Sequence, residues 1–83
     1  MDYSINQRIK ELREKLSLNQ REFSKLLSLS GGYIAGIEVN LRKVNGRLLK
    51  LITSQFGVNE DWLLHGRGGM FKKKILMKKI LVF

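Results

Sequence analysis

Eighty-three residues make one small domain with a single modest core and leave no room for a second domain. The absence of cysteine excludes a disulfide framework and a thiolate metal site and fits a reducing, cytoplasmic setting, and no apolar run is long enough to span a bilayer. The formal charge of +9 points to a polyanionic partner, but it is uneven: residues 67–83 hold six basic residues and no acid, while residues 1–66 carry ten basic and seven acidic residues.

The N-terminal stretch "MDYSINQRIKELREK" has no apolar run and does not read as a signal peptide. Ser4 followed by Gln7 reads as a capping box, and Ile5, Ile9, Leu12 and Leu16 recur at helical spacing, which predicts a first helix over residues 4–15. Asn19 caps a second helix with Glu22 at its third position; Phe23, Leu26 and Leu27 form its apolar stripe. That helix ends near Ser28, where a glycine would be more usual. Ser30 reads as the cap of a third helix anchored by Ile34 and Ile37, with Leu41 just beyond. The polar, basic connection "EVNLRKVNG" leads to Asn45, the cap of a fourth helix that buries Leu48, Leu49, Ile52 and Phe56 and ends at Gly57 in a left-handed cap. Asn59 caps a short fifth helix whose first turn holds Glu60 and Asp61, suiting the helix dipole; Trp62, Leu63 and Leu64 are core candidates and Gly66 ends it.

No stretch before residue 70 alternates like a strand, so the expected fold class is all-α: a compact bundle of five short helices over residues 1–66, with a central helix-turn-helix. Residues 67–83 read as a separate basic and apolar tail. Its lysines and apolar residues scatter around a helical wheel, and Val, Ile and Phe favour extended structure. The tail therefore pairs with another chain as a dimerisation element, grazes a DNA backbone, or stays disordered.

Taken in order and at their spacing, "RIKELR", "LNQREFSKLL", "YIAGIE" and "FGVNEDWLLHGRGGMF" resemble the phage-repressor and Cro family of helix-turn-helix DNA-binding domains, of the xenobiotic-response-element type, from about residue 5 to residue 71. The resemblance implies that the third helix enters the major groove with its N-terminal residues against base edges. The positions that family members use for reading fall here on Gly31, Gly32 and Gly36, which have no side chain, whereas base-distinguishing contacts need Arg, Lys, Asn or Gln. On one reading the helix has lost its readers and the domain binds something else. On the other, glycine lets the backbone sit close to DNA, bare N–H groups from Ser30 onward meet a phosphate, and Tyr33, its neighbours or DNA shape supply the sequence preference. An interior glycine costs a helix about 0.8–1.0 kcal/mol against alanine, a cost that falls most clearly on Gly36 and favours the second reading.

The same resemblance implies that Gln20 contacts a phosphate and orients the helices, with Arg21 beside it, that Arg42, Lys43 and Arg47 grip the DNA backbone, and that Arg13 and Glu38 form a structural pair bridging the first and third helices. His65 reads as a solvated helix end. One histidine, no cysteine and no carboxylate pair in a cleft exclude most enzyme chemistry, and neither a cofactor nor a metal site is expected. The expected partner is double-stranded DNA, bound by a homodimer on a pseudo-palindromic operator, as in bacterial or phage transcriptional regulators of the repressor type. The alternative is a protein-interaction module on the same fold, antitoxin-like or a phage regulator's partner, with the tail as the partner element.

Overall fold

The computed structural model of the protein describes residues 4–72. Four of its five helices begin where a short polar side chain can accept an N–H that the first turn leaves unpaired. Helix α1 (Ile5–Lys15) starts with the Ser4 hydroxyl accepting from the Gln7 N–H at 3.2 Å. Helix α2 (Gln20–Leu26) has a complete capping box: Asn19 Oδ1 accepts from the Glu22 N–H at 2.7 Å, and Glu22 Oε1 accepts from the Asn19 N–H at 2.9 Å. Helix α3 is Tyr33–Glu38. Asn45 caps α4 (Gly46–Phe56) through the Leu48 N–H, and Asn59 caps α5 (Glu60–His65) through the Asp61 N–H. These five helices make the fold all-α, and no strand element occurs among the described residues.

Helix α3 departs from expectation. It begins at Tyr33, three residues after Ser30, and its N-cap is Gly32, which has no side chain to offer. Ser30 instead uses its carbonyl, which accepts the Tyr33 N–H at 3.1 Å and closes a turn over Gly31 and Gly32. Two adjacent glycines, the poorest helix formers after proline, delay the helix until Tyr33. Gly31 is therefore a turn residue and not the first residue of a helix.

Three helices end without glycine. Ser17, Ser28 and Asn40 take left-handed conformations, with φ of 59°, 57° and 64°. In each case the N–H of the following residue turns back to a carbonyl in the last turn of the helix: Leu18 to Arg13, Leu29 to Ser24 and Leu41 to Gly36. These are Schellman endings, whose paired carbonyls offset the cost of placing a non-glycine residue there.

The apolar stripes converge on one core of Ile9, Leu12, Phe23, Leu27, Ile34, Ile37, Leu48, Ile52, Val58, Trp62 and Leu63. Phe23 stacks on Phe56 with ring centroids 5.3 Å apart. Helix α3 packs on α1 and α2, and α5 packs on α1 and α4. Leu26, expected on the apolar stripe of α2, is half exposed, and Leu41 is 82% exposed. Arg8 is buried in α1, where its Nε donates to the Leu63 carbonyl at 2.8 Å and its Nη2 to the Leu64 carbonyl at 2.9 Å, capping the last turn of α5.

Beyond α5 the chain folds back. The Asn59 N–H donates to the Met70 carbonyl and the Lys72 N–H to the Gly57 carbonyl, both at 2.9 Å, so that Val58 and Phe71 form an isolated antiparallel bridge. Of the tail expected over residues 67–83, residues 73–83 lie outside the described residues.

Candidate nucleic-acid interface

Helices α2 and α3, joined by the turn over Ser28 to Gly32, present one face built from very small residues. Ile34 and Ile37 turn inward, which leaves Gly32, Ala35, Gly36 and Val39 on the outer side of α3 at helical spacing. Gly31 and Gly32 are exposed, and a Cβ built on either would meet nothing within 4 Å. Neither has a positive φ; that of Gly32 is −91°. The fold itself therefore does not require glycine at these two positions.

Gly36 is different. A Cβ there would lie 3.2 Å from both Cγ and Cδ of Arg42 and 3.3 Å from its Nε. The Arg42 side chain runs back from the α3–α4 loop across this glycine, and its guanidinium carbon stands 5.0 Å from the centre of the Tyr33 ring, within cation–π range. The backbone of Arg42 is held on both sides. Its N–H donates to the Gly36 carbonyl at 3.3 Å, and its carbonyl accepts from Asn6 Nδ2 at 2.9 Å. Asn6 also donates to the Ile37 carbonyl at 2.9 Å, so a single α1 side chain ties down both the end of α3 and the loop after it.

Arg47 shares a recess with Leu29, Tyr33, Asn45, Leu48 and Leu51. Arg21, Ser30, Arg42, Lys43 and Arg47 are all exposed, and Tyr33 and Gly36 are partly so. Between residues 20 and 50 the chain has six basic residues and only two acids. Both acids are engaged within the fold: Glu22 in the capping box, and Glu38 with its side chain only 3% exposed. Six cations against two carboxylates, one of them neutralised by Arg13, leave this face net positive, and among the described residues none of these six cations is in an ion pair.

Glu38 is the hub beneath that face. Arg13 Nε donates to Glu38 Oε2 at 2.6 Å and its Nη2 to Glu38 Oε1 at 3.1 Å, a two-pronged pair, while its Nη1 donates to the Leu18 carbonyl at 2.7 Å. The Gln20 amide donates to Glu38 Oε1 at 2.9 Å, so one of its N–H groups is engaged inside the protein. The end of α1, the start of α2 and the end of α3 thus meet on one carboxylate. The hydrogen bond to Glu38 outweighs desolvation and holds the Arg13 guanidinium above its ordinary pKa. A raised arginine pKa contributes stability that is fully present throughout the neutral range and is lost only in strong base.

Sequence reasoning missed Asn6 and Arg8. Both are polar residues on a polar-looking stretch of α1, and their partners lie 31 to 56 residues away. No local periodicity marks such residues. The seat of Arg42 on Gly36 was equally hidden, because a glycine and an arginine in separate elements carry no signature as a pair.

Among the described residues no helix is long and apolar enough to cross a membrane. Comparison with curated proteins gives no match, and comparison with solved structures gives none. A family model described as a helix-turn-helix domain matches residues 6–69, which takes in all of α2, the turn and α3 and points to DNA binding and transcription regulation. With most of its length inside that match, and with the short turn between α2 and α3 at its centre, the chain belongs to the helix-turn-helix domain family.

Proposed function

We propose that the protein binds double-stranded DNA and acts in the cytoplasm as a transcriptional regulator of the phage-repressor and Cro kind. Helix α3 enters the major groove, and its small outer residues bring the backbone close to the base edges. Lys43 and Arg47 lie along the flanking phosphates, with Arg21 and Gln20 at the start of α2 on the other side, while Arg42 lies over the outer face of α3. A homodimer places two copies of α3 roughly 34 Å apart, one turn of DNA, on a pseudo-palindromic operator. The observation that carries this reading is the exposed strip from Gly31 to Arg47, where every basic side chain faces solvent and both nearby carboxylates are engaged within the fold.

The test is selection from random duplex DNA at stated salt, followed by sedimentation of the selected complex. A defined, two-fold-related sequence bound by two protein chains is the expected result. The Arg42→Ala, Lys43→Ala, Arg47→Ala triple variant should bind more weakly, with a salt slope lower by about 0.9 for each phosphate it no longer neutralises. A triple variant that binds like the parent removes this face from the interface.

A second reading rests on the α3 face itself. It lacks base-reading side chains at Gly31, Gly32 and Gly36, and Val39 and Leu41 at its end are 63% and 82% exposed. An exposed apolar pair beside a small-residue helix also suits a protein partner, as in an antitoxin or a phage regulator. That reading predicts no enrichment of any sequence in the selection.

A further inference from the structure

On the reading that the domain binds DNA, we infer that Arg42 is the side chain through which α3 reads a base, the O6 and N7 edge of a guanine in the major groove. The outward positions of α3 at Gly32 and Gly36 carry no side chain, yet the face is not empty. Arg42 fills it from the neighbouring loop: its aliphatic part lies across Gly36 and its guanidinium over Tyr33. The backbone on which it stands is pinned by the Gly36 carbonyl and by Asn6. Contact with the Tyr33 ring leaves the guanidinium N–H donors unused, and among the described residues no acceptor takes them. A planar fork of donors held over a groove-facing helix matches the two acceptors that guanine presents, the commonest specific contact in the major groove.

The seat also accounts for Gly36. An interior glycine weakens so short a helix, and any larger residue would push against the Cγ and Cδ atoms of Arg42. A cation that merely touched a phosphate would need no seat on the helix. A phosphate remains the competing destination for a guanidinium, and the two destinations predict different behaviour across sequences.

The experiment measures dissociation constants for the selected duplex and for single base-pair variants of it, with the parent, Arg42→Ala, Arg42→Lys and Gly36→Ala. The parent should prefer one G·C pair by roughly 5- to 150-fold over the alternatives. Arg42→Ala and Arg42→Lys should both lose that preference while keeping the preferences at other positions. Lysine retains the charge but not the fork. Gly36→Ala, which keeps the arginine and disturbs only its seat, should lose part of the same preference and should have no further effect on it in the Arg42→Ala background. Arg42 is exposed, so its variants fold and decide the matter even if Gly36→Ala does not. If Arg42→Ala weakens binding equally on every duplex and lowers the salt slope by about 0.9, Arg42 is a phosphate contact and the inference is wrong. A parent that binds no duplex overturns the proposed function itself, a result distinct from a parent that discriminates and variants that still do.

Discussion

Gly31, in the turn before α3, and Gly36, within α3, are glycines for different physical reasons. Gly36 is crowded by Arg42, whereas Gly31 has open space around it and an ordinary backbone conformation. Alanine at Gly31 fits without strain and narrows the unfolded ensemble, so Gly31→Ala should stabilise the fold by about 0.4–1 kcal/mol. If the turn lies close to DNA, the same methyl group should weaken operator binding. Thermal melting and a binding isotherm on one preparation test both halves. A more stable protein with unchanged affinity would remove close approach as the reason for glycine there. Gly32 does not offer the same experiment, because it is the N-cap of α3, a position where alanine is poorer than glycine.

Among the elements, the decisive junction is the one on Glu38, where α1, α2 and α3 meet through Arg13 and Gln20. It sets the attitude of α3 without itself facing outward. Arg13→Ala leaves the Glu38 carboxylate with only the Gln20 amide; removing one partner of a fully buried pair costs about 3–5 kcal/mol, and this part-buried pair should cost about 2–3 kcal/mol. For a domain this small the melting temperature should fall by roughly 8–24 °C, since each kcal/mol shifts it by about 4–8 °C. An unchanged melting temperature would mean that the pair is solvated in solution. The elements themselves were largely legible. Asn19, Asn45 and Asn59 cap helices where the spacing places them, because a cap and the N–H it accepts belong to the same first turn. The start of α3 was not legible, because Ser30 looks like a cap and the structure uses its carbonyl in a turn instead.

For the whole molecule the open question is where the domain stops. The helical pattern in the sequence ends at residue 66, while backbone pairing continues through Met70 to Lys72. A chain cut after Lys72 should melt like the full-length protein. A chain cut after Gly66 loses three backbone hydrogen bonds, those of Arg67 to Asp61, Asn59 to Met70 and Lys72 to Gly57, and the partial burial of Met70 and Phe71, together worth about 2–4 kcal/mol. Equal melting of the two would show that the returning segment contributes nothing. Sedimentation of the chain cut after Lys72 also tests the tail: a dimer as tight as that of the full chain would rule out residues 73–83 as the pairing element.

The sequence by itself determined the number of helices, four of the five caps and nearly all of the core, because a 3.6-residue apolar period and a capping side chain are local features. It also carried enough ordered motifs to indicate the family. Only the tertiary structure decided what occupies the outer face of α3. That face belongs to Arg42 because Gly36 leaves room, Tyr33 offers a ring and Asn6 holds the loop. These residues come from different parts of the chain, and no periodicity within a helix can encode where they meet. The buried Arg8 under the end of α5 and the convergence of Arg13 and Gln20 on Glu38 were decided in the same way, by contacts between residues far apart in sequence whose polar groups had to be satisfied once the helices packed.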